Sequence, residues 1–84
     1  MQEKQLKIIN HYGFENQVQK LWEEICELRW NTGEANFIEE IADVLNVMQG
    51  IIAFKGWDAE IKEIQVQKLD RTLERIKNNA NNRS

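Results

Sequence analysis

The sequence has no proline, one cysteine and one histidine among its 84 residues. Without proline, nothing in the chain interrupts a helix by removing a backbone donor. The lone Cys26 excludes an internal disulfide and a zinc site built on thiolates, and fits a reducing compartment. The first residues, MQEKQLK, lack the apolar segment of a signal peptide, so we expect a cytoplasmic protein.

Other absences narrow the possible functions. No apolar run is long and charge-free enough to span a bilayer, so we expect no membrane association. The net charge of −3 does not favour nucleic acid binding by the domain as a whole. No glycine-rich phosphate loop is present, which argues against a P-loop or dinucleotide-binding fold.

Helical periodicity dominates the chain, and no segment alternates in the manner of a strand. We therefore predict an all-α fold, a compact bundle of about four helices with a central antiparallel hairpin. The hairpin turns at NTGEAN, residues 31 to 36, and Gly13 and Gly56 are expected to end helices. The predicted helices are Glu3–Tyr12, Asn16–Trp30, Phe37–Phe54 and Asp58–Lys77.

The chain length allows one small domain, predicted over residues 1–77, followed by a polar tail, 78–84, that we expect to be disordered. A core of this size is only marginally stabilising, so oligomerisation is a plausible source of further stability. We expect a homodimer or homotetramer.

The third helix is apolar around more of its circumference than one neighbour can cover. Such a helix belongs in the middle of a bundle or at a subunit interface, and we assign its apolar residues to the core. Trp22 lies in the apolar stripe of the second helix, together with Val18, Leu21, Ile25 and Leu28, and is assigned as a core anchor. The apolar residues of the third helix are Phe37, Ile38, Ile41, Val44, Leu45, Met48, Ile51 and Ile52.

No lysine or arginine occurs from Trp30 through Phe54, so Glu40 and Asp43 have no cation three or four residues away on their own helix. Acids three residues apart are expected by chance in so acidic a chain, and a solvated helix face is the simplest explanation for them. However, carboxylates near a core edge need a compensating positive charge, because burying an unpaired carboxylate is costly.

The register of the hairpin gives these acids a common location. If the turn is centred near Gly33, Glu27 lies level with Glu40, and Glu24 lies level with Asp43. Four converging carboxylates repel one another strongly, so a divalent cation would be required. Oxygen-only ligands favour Mg²⁺ or Mn²⁺.

The segments HYGFENQVQKLWEEICEL and FIEEIADVLNVMQ resemble the MazG-like all-α nucleoside triphosphate pyrophosphohydrolases. That family carries a Glu-Glu-x-x-Glu block and then a Glu-x-x-Asp block, which match Glu23, Glu24 and Glu27 and then Glu40 and Asp43. The resemblance extends from about Ile9 to Ile76.

The resemblance implies Mg²⁺-dependent cleavage of nucleoside triphosphates between the α and β phosphates, giving the monophosphate and pyrophosphate. It makes Glu24, Glu27, Glu40 and Asp43 the metal ligands. Glu23 or Glu24 is the candidate to accept the proton of the attacking water.

The fourth helix places Lys68, Arg71 and Arg75 on one face. A cationic row of this kind is often only a solvated face, but it would also suit a polyanionic substrate, and the family carries a Lys followed by Arg in its last helix. Trp30 is a further candidate for substrate contact, because an aromatic ring at a helix end can stack on a base.

Two other functions stay open. The chain is alternatively a non-catalytic helical adaptor whose acidic and apolar faces bind a partner protein. It is alternatively a degenerate family member that binds metal or nucleotide without turnover.

Overall fold

The computed structural model describes residues 2–30 and 33–82, with side chains described as far as residue 79. It confirms the all-α prediction, because the described ranges form helices and contain no strand. The predicted helix boundaries are correct within three residues except at the end of the last helix. The helices are α1 (Gln2–Tyr12), α2 (Phe14–Arg29), α3 (Glu34–Lys55) and α4 (Asp58–Asn82).

Two glycines end helices as expected. Gly13 has a φ of 93° and donates its backbone N–H to the carbonyl of Ile9. Gly56 adopts the left-handed conformation, with a φ of 71°, and donates to the carbonyls of Ile52 and Ala53. Part of the predicted turn, residues 31 and 32, lies outside the described residues, and α3 already begins at Glu34.

The first three helices pack together, and α3 contacts both α1 and α2. Ile9 is the most deeply buried side chain, at 1% exposure, and Val44 and Ile51 of α3 are the other buried apolar residues. Gly50 lets α1 approach α3, because a Cβ at this position would lie 3.3 Å from the backbone oxygen of Gln5. The centre of the bundle therefore lies where α1 and α2 cover one face of α3.

The face that α2 turns toward the bundle matches the predicted apolar stripe only at Leu21 and Leu28. Its covered side chains follow the spacing of three and four residues that a packed helix requires, but two of them are polar. Trp22 points away from this face and is 64% exposed in the single chain, so its assignment as a core anchor is wrong for the monomer. The covered residues of α2 are Phe14, Gln17, Leu21, Glu24 and Leu28.

The apolar arc of α3 is also only partly covered. Glu40, Val44, Val47 and Ile51 follow one seam with limited exposure. The core assignment fails for the outer side of the arc, because the small bundle has no helix on that side. The exposed apolar residues there are Phe37, Ile38, Ile41, Leu45 and Met48.

The last helix, α4, forms no extensive packing with the other three. Every described side chain from residue 62 to residue 79 on it is exposed. The helix continues to Asn82, five residues beyond the predicted end at Lys77, because no glycine or proline follows to stop it. The predicted disorder of the tail stays a prediction, and residues 83 and 84 lie outside the described residues.

Within the described ranges, no helix combines the length and the apolar character that crossing a bilayer requires.

Candidate metal centre

Three of the four predicted ligands meet where α2 and α3 pack. Glu24, Glu40 and Asp43 each offer a carboxylate oxygen, and these oxygens all lie within 4.8 Å of one another. Glu24 is buried, Glu40 is half-buried and Asp43 is exposed. The group therefore runs from the interior of the bundle to its surface, and we call it the carboxylate cluster.

The periodicity of the two helices explains this placement. Glu24 follows Leu21 by three residues and precedes Leu28 by four, so it lies on the covered seam of α2. Glu40 precedes Val44 by four residues on the covered seam of α3. The packing that buries the apolar members of each seam therefore also brings the two carboxylates together.

Glu24 is the most deeply buried charged residue in the described part of the chain, at 5% exposure. Its Oε1 forms an ion pair with Lys20 Nζ, at 3.0 Å. Its Oε2 is inaccessible to solvent and has no hydrogen-bond partner among the described residues, and the same holds for Oε2 of Glu40. A buried polar atom without a partner typically costs about 1–3 kcal/mol, more for a charged group. A bound cation, or a proton on Glu40 shared with Glu24, would offset this cost.

The pKa of Glu40 is raised above its ordinary value. Burial of the carboxyl group is the largest cause, followed by the negative charge of Glu27, the hydrogen bond and charge of Glu24, and the charge of Asp43. All of these disfavour the ionised form. A divalent cation at the cluster would reverse their effect, because it stabilises the ionised carboxylates.

Glu27 stands slightly apart from the other three. It is exposed and does not belong to the group whose oxygens lie within 4.8 Å of one another. Its charge is nevertheless the largest electrostatic cause of the raised Glu40 pKa, which places it beside the cluster. The α2–α3 packing therefore brings Glu24, Glu40 and Asp43 together, with Glu27 at the margin.

The donor set fits a hard divalent ion. All candidate ligand atoms are carboxylate oxygens, which Mg²⁺ and Mn²⁺ accept. Cys26, the only thiol, is exposed on α2 and is not a member of the cluster. These residues could hold a metal ion, and their chemistry argues against a zinc site of the thiolate type.

The sequence interpretation missed Lys20. This residue lies four positions before Glu24 on α2 and was available as a signal, because residues at that spacing are neighbours on a helix. Hydrogen bonding to Glu24 and the charge of Glu24 raise the pKa of Lys20. Lys20 therefore provides one positive charge next to the cluster.

A groove opens beside the carboxylate cluster, between α1, α2 and α3. It encloses about 720 Å³, and Glu24 and Asp43 form part of its wall. Glu23, the predicted proton acceptor, is exposed and also lines it. We call this space the α1–α3 groove.

The remaining predicted site residues do not join the cluster. Lys68, Arg71 and Arg75 are exposed on α4 and form no ion pair with the cluster carboxylates in the described part of the chain. Trp30 is exposed at the end of α2, where the Arg29 guanidinium lies 5.4 Å from the centre of its ring. A role for these four side chains in substrate binding stays a prediction.

Comparison with known proteins adds no relative. No family model matches the chain, and no curated protein or solved structure matches it.

Proposed function

We propose that this chain is a Mg²⁺-dependent nucleoside triphosphate pyrophosphohydrolase of the MazG-like, all-α type, which converts (d)NTP to (d)NMP and pyrophosphate. The observation that carries the proposal is the pair of buried, unpartnered oxygens, Oε2 of Glu24 and Oε2 of Glu40, within a group of three carboxylates. The proposal also rests on the two acidic blocks of the sequence.

Glu24, Glu40 and Asp43 would hold the ion, with Glu27 as a further ligand from the margin. When bound, Mg²⁺ supplies Lewis-acid chemistry, because it withdraws charge from phosphoryl oxygens. Glu23 is exposed beside the cluster and is assigned to accept the proton of the attacking water, with Glu24 as the alternative. Lys20 adds a cation for the phosphates.

We further propose that a second copy of the chain completes the fold. The accessible surface is 7199 Å², whereas a folded monomer of this mass exposes about 5,200 Å². The excess of about 2,000 Å² is the area that each partner of an obligate dimer contributes at the upper part of the usual range. The radius of gyration, 16.7 Å, likewise exceeds the value of about 12 Å for a compact chain of this length.

The exposed apolar surfaces fit such a partner. Val66, Leu69, Leu73 and Ile76 recur at the spacing of a two-heptad seam on α4, and all four are exposed. The outer faces of α2 and α3 are apolar as well. In a dimer, α4 packs against the bundle of the other copy, and this packing is what would bring Lys68, Arg71 and Arg75 close to a set of carboxylates.

Release of pyrophosphate from a panel of all common NTPs and dNTPs with Mg²⁺ tests the activity. Wild-type protein is expected to yield monophosphate and pyrophosphate from at least one member of the panel. Glu24→Gln and Asp43→Asn are each expected to lower kcat by about 100-fold or more, since even the neighbours of metal ligands are worth about 10- to 100-fold. Far-UV circular dichroism checks that the variants stay helical.

Glu39→Gln is the matched control, because Glu39 is exposed on α3 next to Glu40 but lies outside the cluster. It is expected to keep wild-type activity. A non-catalytic adaptor would give no product with any nucleotide. A degenerate binder would give no product either, but Mg²⁺ or nucleotide would still raise its melting temperature.

A further inference from the structure

The α1–α3 groove contains a polar side chain that the fold leaves without a partner. Gln17 is only 7% exposed and lines the groove. Its amide makes no hydrogen bond to any part of the chain that the structure describes. Among the described residues, neither amide atom of Gln17 is both inaccessible to solvent and without a partner, so the amide opens into the groove and is available to a ligand.

A second amide in the groove, that of Asn46, is oriented by a hydrogen bond from Gln5. Gln5, itself buried, donates through Nε2 to Asn46 Oδ1 at 3.2 Å and to Gln49 Oε1 at 2.8 Å. This hydrogen bond identifies Oδ1 as the acceptor of Asn46, so its Nδ2 is available as a donor. Asn46 lines the same groove as Gln17. The groove therefore presents one oriented amide donor and one amide that can both donate and accept.

The wall of the groove is apolar and aromatic. Ile8, Tyr12 and Val47 line it together with the amides. The Tyr12 ring is exposed, and the carbonyl of the same residue accepts a hydrogen bond from Asn16 Nδ2 at 2.6 Å, which ties the end of α1 to α2. A few oriented polar groups in an apolar wall are typical of a small-molecule site, and an exposed ring beside them suits a planar ligand that stacks.

We propose that the α1–α3 groove binds the nucleoside of a nucleotide, with the Gln17 amide hydrogen-bonded to an edge of the base and the Tyr12 ring stacked on its face. Base edges pair with side-chain amides through adjacent donors and acceptors, which matches the unpartnered group. The groove shares Glu24, Glu23 and Asp43 with the carboxylate side of the site. A nucleotide whose phosphates lie at the carboxylate cluster therefore has its nucleoside next to this space.

This inference rests on the proposed function, because it takes the phosphates to lie at the carboxylates. It goes further by assigning base recognition to Gln17, Tyr12 and Asn46. None of these residues belongs to the acidic blocks.

Binding of α,β-methylene dNTP analogues with the four common bases, measured by calorimetry with Mg²⁺, tests the assignment. Gln17→Met keeps the length of the side chain but removes the amide. It is expected to raise the Kd of the preferred analogue by about tenfold, the effect of leaving one base hydrogen bond unmade. Tyr12→Leu is expected to raise it by about five- to tenfold or more through loss of stacking, whereas Tyr12→Phe is expected to retain wild-type affinity.

Inorganic tripolyphosphate with Mg²⁺ is the second probe, because it carries the phosphate chain without a nucleoside. Its Kd is expected to stay unchanged in Gln17→Met and Tyr12→Leu. Gln67→Met, a change of an exposed glutamine on α4, is the matched control and is expected to change neither Kd. Tyr12 is exposed, so Tyr12→Leu tests the groove even if the change at buried Gln17 disturbs folding.

The assignment is overturned if wild-type protein binds none of the analogues. It is also overturned if both variants keep the wild-type Kd for the analogues or weaken tripolyphosphate binding to the same extent. Failure of the proposed activity looks different. In that case wild-type protein binds the analogues in a manner that depends on Gln17, yet releases no pyrophosphate from the corresponding dNTPs. Turnover with an unchanged KM in both variants removes the groove assignment and leaves the activity standing.

Discussion

Glu24 and Glu40 occupy seam positions that apolar side chains hold one turn away on the same helices. At such positions a carboxylate lowers the free energy of unfolding unless a cation or a proton neutralises it. Lys20 neutralises one oxygen of Glu24. The remaining inaccessible oxygens of Glu24 and Glu40 are the reason, at the level of single residues, that we propose a metal site on this seam.

The raised pKa of Glu40 predicts the pH dependence of stability without divalent ions. Between the ordinary glutamate pKa and the raised one, the folded chain holds a proton that the unfolded chain has lost, so the free energy of unfolding falls as the pH rises. Glu40→Gln cannot ionise. We therefore expect Glu40→Gln to be more stable than wild type at pH 7 to 8. The difference in the free energy of unfolding should shrink as the pH falls from the raised pKa of Glu40 toward the ordinary glutamate pKa.

Urea unfolding in a chelator, at several pH values, measures this effect in both proteins. Equal pH dependence of wild type and Glu40→Gln would contradict the prediction. Glu39→Gln serves as the control at an exposed neighbouring position, and its unfolding should follow the wild type throughout.

At the scale of the elements, the glycines between helices have two different backbone conformations. Gly56 lies in the ordinary left-handed region, with φ 71° and ψ 30°, which asparagine also adopts. Gly13 has φ 93° and ψ 154°, close to a region that is essentially restricted to glycine. The break between α1 and α2 therefore depends on its glycine more strictly than the break between α3 and α4.

Replacing Gly13 and Gly56 with asparagine, one at a time, tests whether the two backbone conformations differ in their need for glycine. Gly13→Asn is expected to lower the free energy of unfolding by about 1–3 kcal/mol, whereas Gly56→Asn should cost less than about 1 kcal/mol. A Cβ at either position meets no atom within 4 Å, so the difference reports backbone conformation rather than a clash. Urea midpoints measure it, and equal losses at the two positions would refute the distinction.

At the scale of the whole molecule, the single chain buries several polar side chains and exposes several large apolar ones. Polar side chains such as Gln17 and Glu24 are buried in its seams, while Trp22 and Leu69 are each 64% exposed. A monomer with this distribution leaves a large apolar area in water, which is unfavourable by roughly 25 cal/mol per Å². The second copy that we propose would cover this area and so remove the cost.

Replacing Leu69 and Leu73 with lysine tests this account. The wild-type chain is expected to elute and scatter light as at least a dimer of the 10.0 kDa chain, and the double variant as a monomer. Because α4 has no extensive packing within its own chain, we expect the double variant to keep the helicity of the wild type. Lys62→Ala on the same helix is the control and should leave the mass unchanged. A monomeric wild type would remove the dimer proposal.

Local sequence determined the helices of this protein, because the apolar period of three to four residues and the positions of Gly13 and Gly56 act within one turn. Hairpin register then placed Glu24 level with Asp43, and the packing of α2 on α3 agrees with this. The end of α4 escaped prediction, since a run of asparagines weakens a helix without terminating it.

Which face of each helix turned inward was decided only by the tertiary structure. Both α2 and α3 carry apolar residues on more than one side. The sequence therefore put Leu21 and Trp22 in one stripe, whereas the packing covers Leu21 and leaves Trp22 exposed. Packing of three helices can cover only one of these sides. That geometric limit put Gln17, Glu24 and Glu40 inside, left the outer apolar faces open, and created the groove that no local pattern contained.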